Sequence, residues 1–336
     1  MQRVFFVVVI SIFGFLSTQS SSAAPINFTA IGSQVDYQDM EIGLDGSFRV
    51  YSNGSGVWVS NNHGASYTRT LTLTANYVYL GASSSRQYLV AGGTSFVNST
   101  TLRNVGTALY YSSDYGATWT IKNSGYTKAW SDFAISDDGQ KILATTNCTT
   151  GKDSEGYRVC TTNGGAFYSS DGGDTFVTSK EIAQVTTGPT EFDDLDMAHD
   201  GSLMFLSAGG TGTFRSTDGS TWSVSNSDGF AVLQASATGQ YVYGSRYGLT
   251  ARNSNYGIGS WTTVTTIPSN ILSKVMEVSD DGQFVLIGEN TTGIYQSEDA
   301  GVNFSKTKVK WIRRQLQHNN ERIWASHERK CNVFLD

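Results

Sequence analysis

The sequence contains few cysteines, few prolines and few histidines. Three cysteines in 336 residues are too few for a disulfide scaffold, so a hydrophobic core must stabilise the fold. The four histidines form no metal-ligand pattern with the cysteines, and we therefore predict no metal site and no cofactor. The three prolines and the scarcity of helical periodicity favour an all-β chain.

Positive charge is also scarce. The chain has 23 Lys and Arg residues against 29 Asp and Glu residues, which gives a formal net charge of −6. Nucleic-acid binding depends on clustered Lys and Arg. The one dense basic stretch, KVKWIRR at 308–314, is better explained as a solvated strand face. We therefore predict no nucleic-acid partner.

One long apolar run is present, at the N-terminus. Arg3 precedes the run at 4–16, and a Ser-rich stretch then ends in Ala23, Ala24 and Pro25. This order predicts a secretory signal peptide over 1–23, cut after Ala23. The run is shorter than the roughly 20 residues that a membrane-spanning helix needs. We expect a secreted, extracellular monomer without a membrane span, whose mature domain covers 24–336.

Two further features agree with an extracellular location. Cys148 and Cys160 flank a polar stretch, which we predict to be an inserted surface loop closed by a Cys148–Cys160 disulfide. Cys331 is left over. N-glycosylation sequons are also present and would be used if the organism is eukaryotic. The six acceptor residues are Asn27, Asn53, Asn98, Asn147, Asn290 and Asn303.

A short motif recurs along the chain. Its clearest form is Ser-x-Asp-x-Gly-x-Thr-Trp, followed by alternating residues. The copies begin at Ser60 (SNNHGASYT), Ser112 (SSDYGATWT), Ser169 (SSDGGDTFV), Ser216 (STDGSTWSV), Asn253 (NSNYGIGSWT) and Ser297 (SEDAGVNFS). Self-similarity at this spacing indicates a repeat architecture.

A glycine turn precedes most copies and is followed by alternating apolar and polar residues, the signature of a tight β-hairpin. These turns contain Gly46, Gly139, Gly201, Gly239 and Gly282. The interval from the glycine to the motif is 14 or 15 residues, except after Gly139, where the insertion lengthens it to 30. The constant interval shows that one unit of supersecondary structure is repeated.

Each unit divides into four short strands. Strand A leads to the glycine turn, strand B follows it, strand C leads into the motif and strand D leaves it. Four-stranded antiparallel units of about 40 to 50 residues are propeller blades. We therefore predict an all-β fold, a single β-propeller over 24–336 with seven blades. Six and eight blades are alternatives because the segment 76–93 has a weak turn signal.

The two chain ends are predicted to close the ring together. The last segment supplies strand A, a turn at Asn319 and Asn320, strand B at 322–326 and strand C at 332–336, but no strand D. The segment 26–32 resembles the strand D at 302–308. We expect the N-terminal strand to complete the last blade.

The repeated motif suits a turn: its Asp accepts backbone N–H groups, its Gly permits positive φ, and its aromatic residue begins strand D. It resembles the Asp box, or BNR repeat, of sialidase-like, sortilin-type, xyloglucan-degrading and photosystem II assembly factor-like propellers. The resemblance implies that each box is a structural hairpin between strands C and D. The structural box residues are Ser60, Asn62, Gly64, Ser112, Asp114, Gly116, Trp119, Ser169, Asp171, Gly173, Ser216, Asp218, Trp222, Ser297, Asp299 and Gly301.

Other roles for the box find less support. A Ca²⁺ loop needs six or more oxygen ligands, and the box lacks the later acidic ligand. Sialidases begin with an Arg-Ile-Pro motif, and none of the three prolines lies in that context. The resemblance therefore leaves the function open, because this fold hosts many activities.

Acidic residues on strand A are the best candidates for a functional site. They lie seven or five residues before the turn glycine and alternate with apolar residues, so they share one side of the strand. Strand A is the innermost strand of a blade, which places them near the central channel. The candidate channel residues are Asp39, Glu41, Asp132, Asp194, Asp196 and Glu277. A polar, water-filled channel, a ligand site and a catalytic pair are the alternatives.

Three functions fit this sequence. We favour a non-catalytic binding or scaffold module for a protein or glycan partner, because no catalytic residue can be assigned. The first alternative is a glycoside hydrolase, which would need two carboxylates placed across a cleft. The second is an assembly factor resembling the photosystem II propeller family.

Overall fold

The structure is a computed structural model, and it describes most of the chain between residues 38 and 306 together with short segments nearer the ends. The described residues are 8–10, 28–30, 38–43, 46–96, 104–122, 127–146, 149–152, 158–162, 164–178, 192–208, 210–268, 273–289, 293–306, 325–326 and 332–333. All named elements within these ranges are β-strands. Near the N-terminus, β1 (Val8–Ile10) pairs antiparallel with β2 (Phe28–Ala30).

The first three blades follow in chain order. Blade 1 contains β3 (Asp39–Ile42), β4 (Arg49–Asn53), β5 (Gly56–Ser60) and β6 (Thr68–Thr72). Blade 2 contains β7 (Tyr77–Ala82), β8 (Leu89–Phe96), β10 (Leu109–Ser112) and β11 (Thr120–Lys122), with β9 (Asn104–Gly106) beside β8. Blade 3 contains β12 (Trp130–Ile135), β13 (Ile142–Thr146), β16 (Ala166–Ser169) and β17 (Val177–Thr178), and it carries the hairpin of β14 (Thr149–Lys152) and β15 (Arg158–Thr162).

Each of the next three blades also consists of four strands. Blade 4 contains β18 (Phe192–Met197), β19 (Met204–Ala208), β20 (Gly212–Ser216) and β21 (Ser223–Asn226). Blade 5 contains β22 (Val232–Ala235), β23 (Val242–Arg246), β24 (Leu249–Asn253) and β25 (Thr262–Thr263). Blade 6 contains β26 (Ser273–Val278), β27 (Val285–Glu289), β28 (Gly293–Ser297) and β29 (Ser305–Lys306). A last hairpin joins β30 (Ala325–Ser326) to β31 (Asn332–Val333).

In all six blades that the structure describes, the strands pair antiparallel in the order A, B, C, D, as the repeat predicts. The A strands of successive blades contact one another in the series β3, β7, β12, β18, β22, β26, so they form the inner wall of a ring. Each copy of the box begins at the last residue of strand C and leads into strand D. The prediction of an all-β chain of four-stranded blades is confirmed.

The hydrophobic core lies between neighbouring blades. Each of five clusters draws its apolar side chains from two successive blades. Between blades 1 and 2, for example, Val57 and Val59 pack with Leu80 and Leu89, and all four are buried. Burial of apolar surface between sheets is the main force that holds such a ring together.

The turn that joins strands A and B explains why blade 2 has a weak signal in the sequence. In the other five blades a glycine with a φ of 65 to 72° donates its N–H to the residue three positions earlier. In blade 2 Arg86 takes this place, with a φ of 63° and the same bond to the carbonyl of Ser83. A non-glycine residue in this region is uncommon. The turn geometry is thus conserved among the blades although the glycine is not.

The insertion in blade 3 is a small hairpin with its own two-stranded sheet. Its strands pair Thr150 with Cys160 and Lys152 with Arg158. Cys148 lies outside the described residues, as does Cys331, so the disulfide between Cys148 and Cys160 stays a prediction.

The last hairpin has the register of a B–C connection. Ser326 pairs with Asn332, six residues later, as Ser207 pairs with Thr213 in blade 4. The inner strand β30 contacts both β3 and β26, which places it between blades 1 and 6. The segment predicted to close the ring contains β2, which pairs with β1. The predicted turn at Asn319 and Asn320 lies outside the described residues, and the count of seven blades stays a prediction.

Candidate functional site

The box is a hydrogen-bonded turn, best seen in blade 2. The hydroxyl of Ser112 donates to Asp114 Oδ1 over 2.8 Å and accepts the N–H of Gly116 over 2.9 Å. Asp114 also accepts the N–H and the hydroxyl of Thr118, over 2.8 and 2.6 Å. The hydroxyl bond from Thr118 is the main reason that the pKa of Asp114 lies below its ordinary value. The carboxylate is therefore committed to the turn.

Other copies keep this turn with different residues. Asp171, Asp218 and Asp299 accept equivalent bonds, and hydrogen bonds from Asn303 help to lower the pKa of Asp299 to about 2. In blade 1 the uncharged Asn62 accepts the N–H of Ser66 over 3.0 Å. Because the turn also forms with an uncharged Asn at this position, the role of the residue is structural.

The box and the A–B turn lie at the same end of each blade. A backbone N–H within the box donates to the carbonyl of the residue after the turn position. The bonds are His63 to Ser47, Tyr115 to Gln87, Gly172 to Gln140, Tyr256 to Gln240 and Ala300 to Gln283, at 2.8 to 3.0 Å. We call this end of the ring the turn end, and the other the B–C end.

Two of the candidate channel carboxylates join neighbouring blades. Asp39 is buried, and its oxygens accept the N–H of Met40 over 3.0 Å and that of Leu80, in blade 2, over 2.9 Å. Asp194 in blade 4 accepts the N–H of Leu195 over 3.2 Å and that of Leu233, in blade 5, over 2.7 Å. In both cases one carboxylate links two inner strands that share no ladder of backbone bonds.

Asp196 makes a third connection between blades 4 and 5. It accepts the N–H of Met197 over 2.8 Å, the side-chain amide of Gln234 over 2.8 Å and the N–H of Ala235 over 2.6 Å. Burial raises the pKa of Asp196 to about 7, although these hydrogen bonds act against the rise. The group therefore titrates close to neutral pH.

Glu41 forms an ion pair across the boundary between blades 1 and 2. Its Oε2 lies 3.2 Å from Nε of Arg86, and the two side chains are 17% and 14% exposed. A terminal nitrogen of Arg86 also donates to the carbonyls of Ser83 and Ser84, over 2.9 and 3.0 Å. Burial raises the pKa of Glu41, and the Arg86 guanidinium opposes that rise.

Asp132 lies within electrostatic range of two other candidates. Its carboxylate contributes to the raised pKa of both Glu41 and Asp196. Its Oδ1 accepts the N–H of Phe133 over 2.9 Å. A β-bulge between Trp130 and Asp132 directly precedes it, and such bulges redirect side chains. Asp132 thus interacts electrostatically with Glu41 of blade 1 and with Asp196 of blade 4.

The last candidate, Glu277, is half-buried on β26 and pairs in register with Leu286 of β27. The structure therefore brings Glu41, Asp132 and Asp196 into one electrostatic group and uses Asp39 and Asp194 as bridges between blades. Among the described residues, no group of three or more His, Cys, Asp or Glu side chains could hold a metal ion.

The acidic pattern of strand A does not predict the role of Arg86. The signal that could have found it is the alignment of SSSRQ at 83–87 with SDDGQ at 136–140, which puts Arg86 at the turn position. The role of Gln38 is not predicted either; its side chain accepts the N–H of Val78 over 2.8 Å and so joins blades 1 and 2.

The structure can be compared with known proteins. YCF48 bound to D1 peptide has a TM-score of 0.52 and 12% identity, over 81% of this chain and 82% of that chain. YCF48 from Cyanidioschyzon merolae has a TM-score of 0.55 and 10% identity, over 89% and 95%. This chain is a β-propeller. Identities this low show the fold alone.

A third solved structure is an ancestral GH74 enzyme, with a TM-score of 0.55 and 17% identity over 80% of this chain. This propeller spans only 38% of the length of that enzyme chain. No protein-family model and no curated protein matches the sequence. Within the described part of the propeller, no helix has the length and apolar character needed to cross a bilayer.

Proposed function

We propose that this propeller is a secreted, non-catalytic module that binds a protein partner. The proposal rests on the hydrogen bonds that three candidate carboxylates accept from the protein itself. Both oxygens of Asp39, Asp194 and Asp196 accept hydrogen bonds from the protein. Glycoside hydrolysis needs one carboxylate free to reach the sugar oxygen and a second free to attack or to activate water. Carboxylates that hold blades together suit a rigid binding scaffold better.

One of the similar structures contains a bound peptide, which supports a protein partner. The YCF48 structure was solved with a peptide, which shows that a propeller of this shape can receive a polypeptide. A similar fold does not identify the partner of a protein. The assembly-factor hypothesis therefore names no specific partner for this chain. Secretion is part of the proposal and is supported by the predicted signal peptide and sequons.

Affinity capture tests the proposal. The full-length protein is expressed with its own leader, purified from the culture medium, immobilised, and exposed to the extracellular fraction of its own source. We expect specific retention of a protein partner that also binds the purified propeller in solution. Failure to reach the medium would contradict secretion, and retention of no protein would contradict the binding function.

One observation favours a hydrolase as the second candidate. A general acid works best when its pKa is near the operating pH, and the pKa of Asp196 is raised to about 7. A panel of polysaccharides incubated with the wild type and with Asp196→Asn separates the two functions. Sugar release by the wild type that the variant loses would support the hydrolase. No release by either protein is the result expected for a binding module.

A further inference from the structure

One residue from each A–B turn lies at the mouth of the central channel, at the turn end. The A strands form the inner wall of the ring, so the residues that continue them into the turns surround this mouth. The residue in question lies two positions before the turn glycine, or before Arg86 in blade 2. In blades 2 to 6 these residues are Ser84, Asp137, His199, Ala237 and Asp280.

Backbone hydrogen bonds connect these residues from blade to blade. The N–H of Asp137 donates to the carbonyl of His199 over 2.7 Å, that of His199 to Ala237 over 2.8 Å, and that of Ala237 to Asp280 over 3.1 Å. The N–H of Ser84 donates to Asp137 Oδ1 over 2.9 Å. The backbone around the mouth is therefore one connected frame, and only side chains can change how far the mouth is open.

The side chain of His199 lies between two carboxylates of this frame. Its Nδ1 is 3.9 Å from Asp137 Oδ2, in blade 3, and its Nε2 is 4.0 Å from Asp280 Oδ1, in blade 6. Blade 5 separates blade 4 from blade 6, and it has Ala237 at this position, whose short side chain lets the imidazole reach past it. Side chains from three blades therefore meet at the mouth of the channel.

The other charged groups of these three turns are directed elsewhere. Asp138 and Asp281 each accept a serine hydroxyl and a backbone N–H of their own turn. Asp200 accepts a backbone N–H of its turn over 2.8 Å, and Lys141 donates to the carbonyl of Asp200 over 3.0 Å. Among the described residues, the two flanking carboxylates are thus the charged groups within 4.0 Å of the His199 imidazole.

Protonation changes what an imidazole in this position can hold. Imidazole side chains titrate in the physiological pH range. The protonated ring carries a positive charge and two N–H donors, so it can bind both carboxylates at once. The neutral ring has one N–H donor, and its other nitrogen is an acceptor that faces a carboxylate. The bridge across the mouth is therefore complete in acid and broken on one side above neutral pH.

We infer that His199 closes the turn end of the central channel in a pH-dependent way. In acid the imidazolium bridges Asp137 and Asp280 and the mouth closes; above neutral pH the imidazole is released from one of them and the mouth opens. Small solutes then reach the half-buried channel carboxylates Glu41 and Asp196 from this end more readily. This device goes beyond the proposed binding function and does not depend on it.

Chemical labelling of the full chain tests the inference. A water-soluble carbodiimide with an amine modifies carboxyl groups, and mass spectrometry of peptides gives the rate at Glu41 and Asp196 relative to the exposed Glu298. Labelling is kept below one group per molecule, so that the mouth itself stays intact. Rates are measured at pH 5.5 and pH 7.5.

The variants separate the charge of the imidazole from its size. His199→Gln keeps a polar side chain that cannot be protonated. Asp137→Asn with Asp280→Asn keeps His199 and removes its two anionic partners, while an oxygen remains to accept the N–H of Ser84. The matched control is His63→Gln, which changes an exposed histidine in the box of blade 1.

At pH 5.5 we expect the two channel carboxylates to be labelled about fivefold more slowly in the wild type than in His199→Gln, since two partly exposed ion pairs contribute modestly. At pH 7.5 the two proteins should be labelled alike. The double variant should resemble His199→Gln at both pH values, and His63→Gln should resemble the wild type. Equal rates in the wild type and His199→Gln at pH 5.5, a difference of the same size at pH 7.5, or wild-type rates in the double variant would overturn the inference.

Discussion

Aspartates occupy two regions of this propeller and behave oppositely in them. In the boxes they are mostly exposed, accept several hydrogen bonds from their own turn, and have lowered pKa values, as for Asp299 at about 2. On strand A, Asp196 accepts three hydrogen bonds as well, yet its pKa is raised to about 7. The difference is burial, which penalises the charged form. Hydrogen bonds alone therefore do not decide whether a carboxylate is stabilised.

Removing one carboxylate from each region should show this difference most clearly. Asp39→Ala leaves the N–H groups of Met40 and Leu80 buried without their acceptor, and we expect a loss of about 4 kcal/mol in the free energy of unfolding. Asp114→Ala exposes its donors to water and should cost about 1 kcal/mol. Urea unfolding of both variants measures the losses. Equal losses would show that burial does not separate the two regions.

The pH dependence of stability gives the next largest effect. The pKa of Asp196 is higher in the folded state than in the unfolded chain, so its contribution is fully present below about pH 4 and is lost as the pH rises through about 7. We expect the free energy of unfolding to fall by about 3 kcal/mol between pH 5 and pH 8. Glu41, whose pKa is also raised, acts with the same sign.

Urea unfolding at pH 5 and pH 8 tests this expectation. Asp196→Asn should remove most of the decline between the two pH values. Asp299→Asn is the matched control from a box: its pKa of about 2 makes its contribution present above about pH 4 and lost only as the pH falls towards 2. The control should keep the decline of the wild type. A decline that persists unchanged in Asp196→Asn would show that the buried carboxylate is not its source.

The repeat was enough to predict the blades. Box starts and glycine turns at constant spacing predicted the strands of the described blades other than blade 2, because a hairpin fixes the register of the strands it joins. The turn of blade 2 was not recognised, since the sequence signal for positive φ is glycine and this turn uses Arg86. There the hydrogen bond and the neighbouring strands, rather than the residue type, set the backbone conformation.

The acidic strand-A residues were located by the sequence, but their environments were not. Alternation with apolar residues put Asp39 and Asp194 on one side of the strand, yet the donors that hold them, Leu80 and Leu233, come from the next blade. Contacts between repeats depend on how the sheets twist and pack, which no local pattern contains. The raised pKa of Asp196 could not be predicted for the same reason, because it depends on burial against the next blade.

The smallest expected change in the free energy of unfolding concerns the box of blade 1, which has Asn62 in place of an aspartate. Asn62 takes the place of the aspartate in blade 1, accepts the N–H of Ser66 and donates to its hydroxyl over 2.8 Å. Asn62→Asp should let that hydroxyl donate to a carboxylate, as Thr118 does to Asp114, and raise the free energy of unfolding by about 0.5 kcal/mol at pH 7. The gain should shrink as the pH falls from about 4 towards 2 and the new carboxyl becomes protonated, while Asn62→Ala destabilises over the whole range. A gain that persists unchanged at pH 2 would mean that the charge of the carboxylate is not its source.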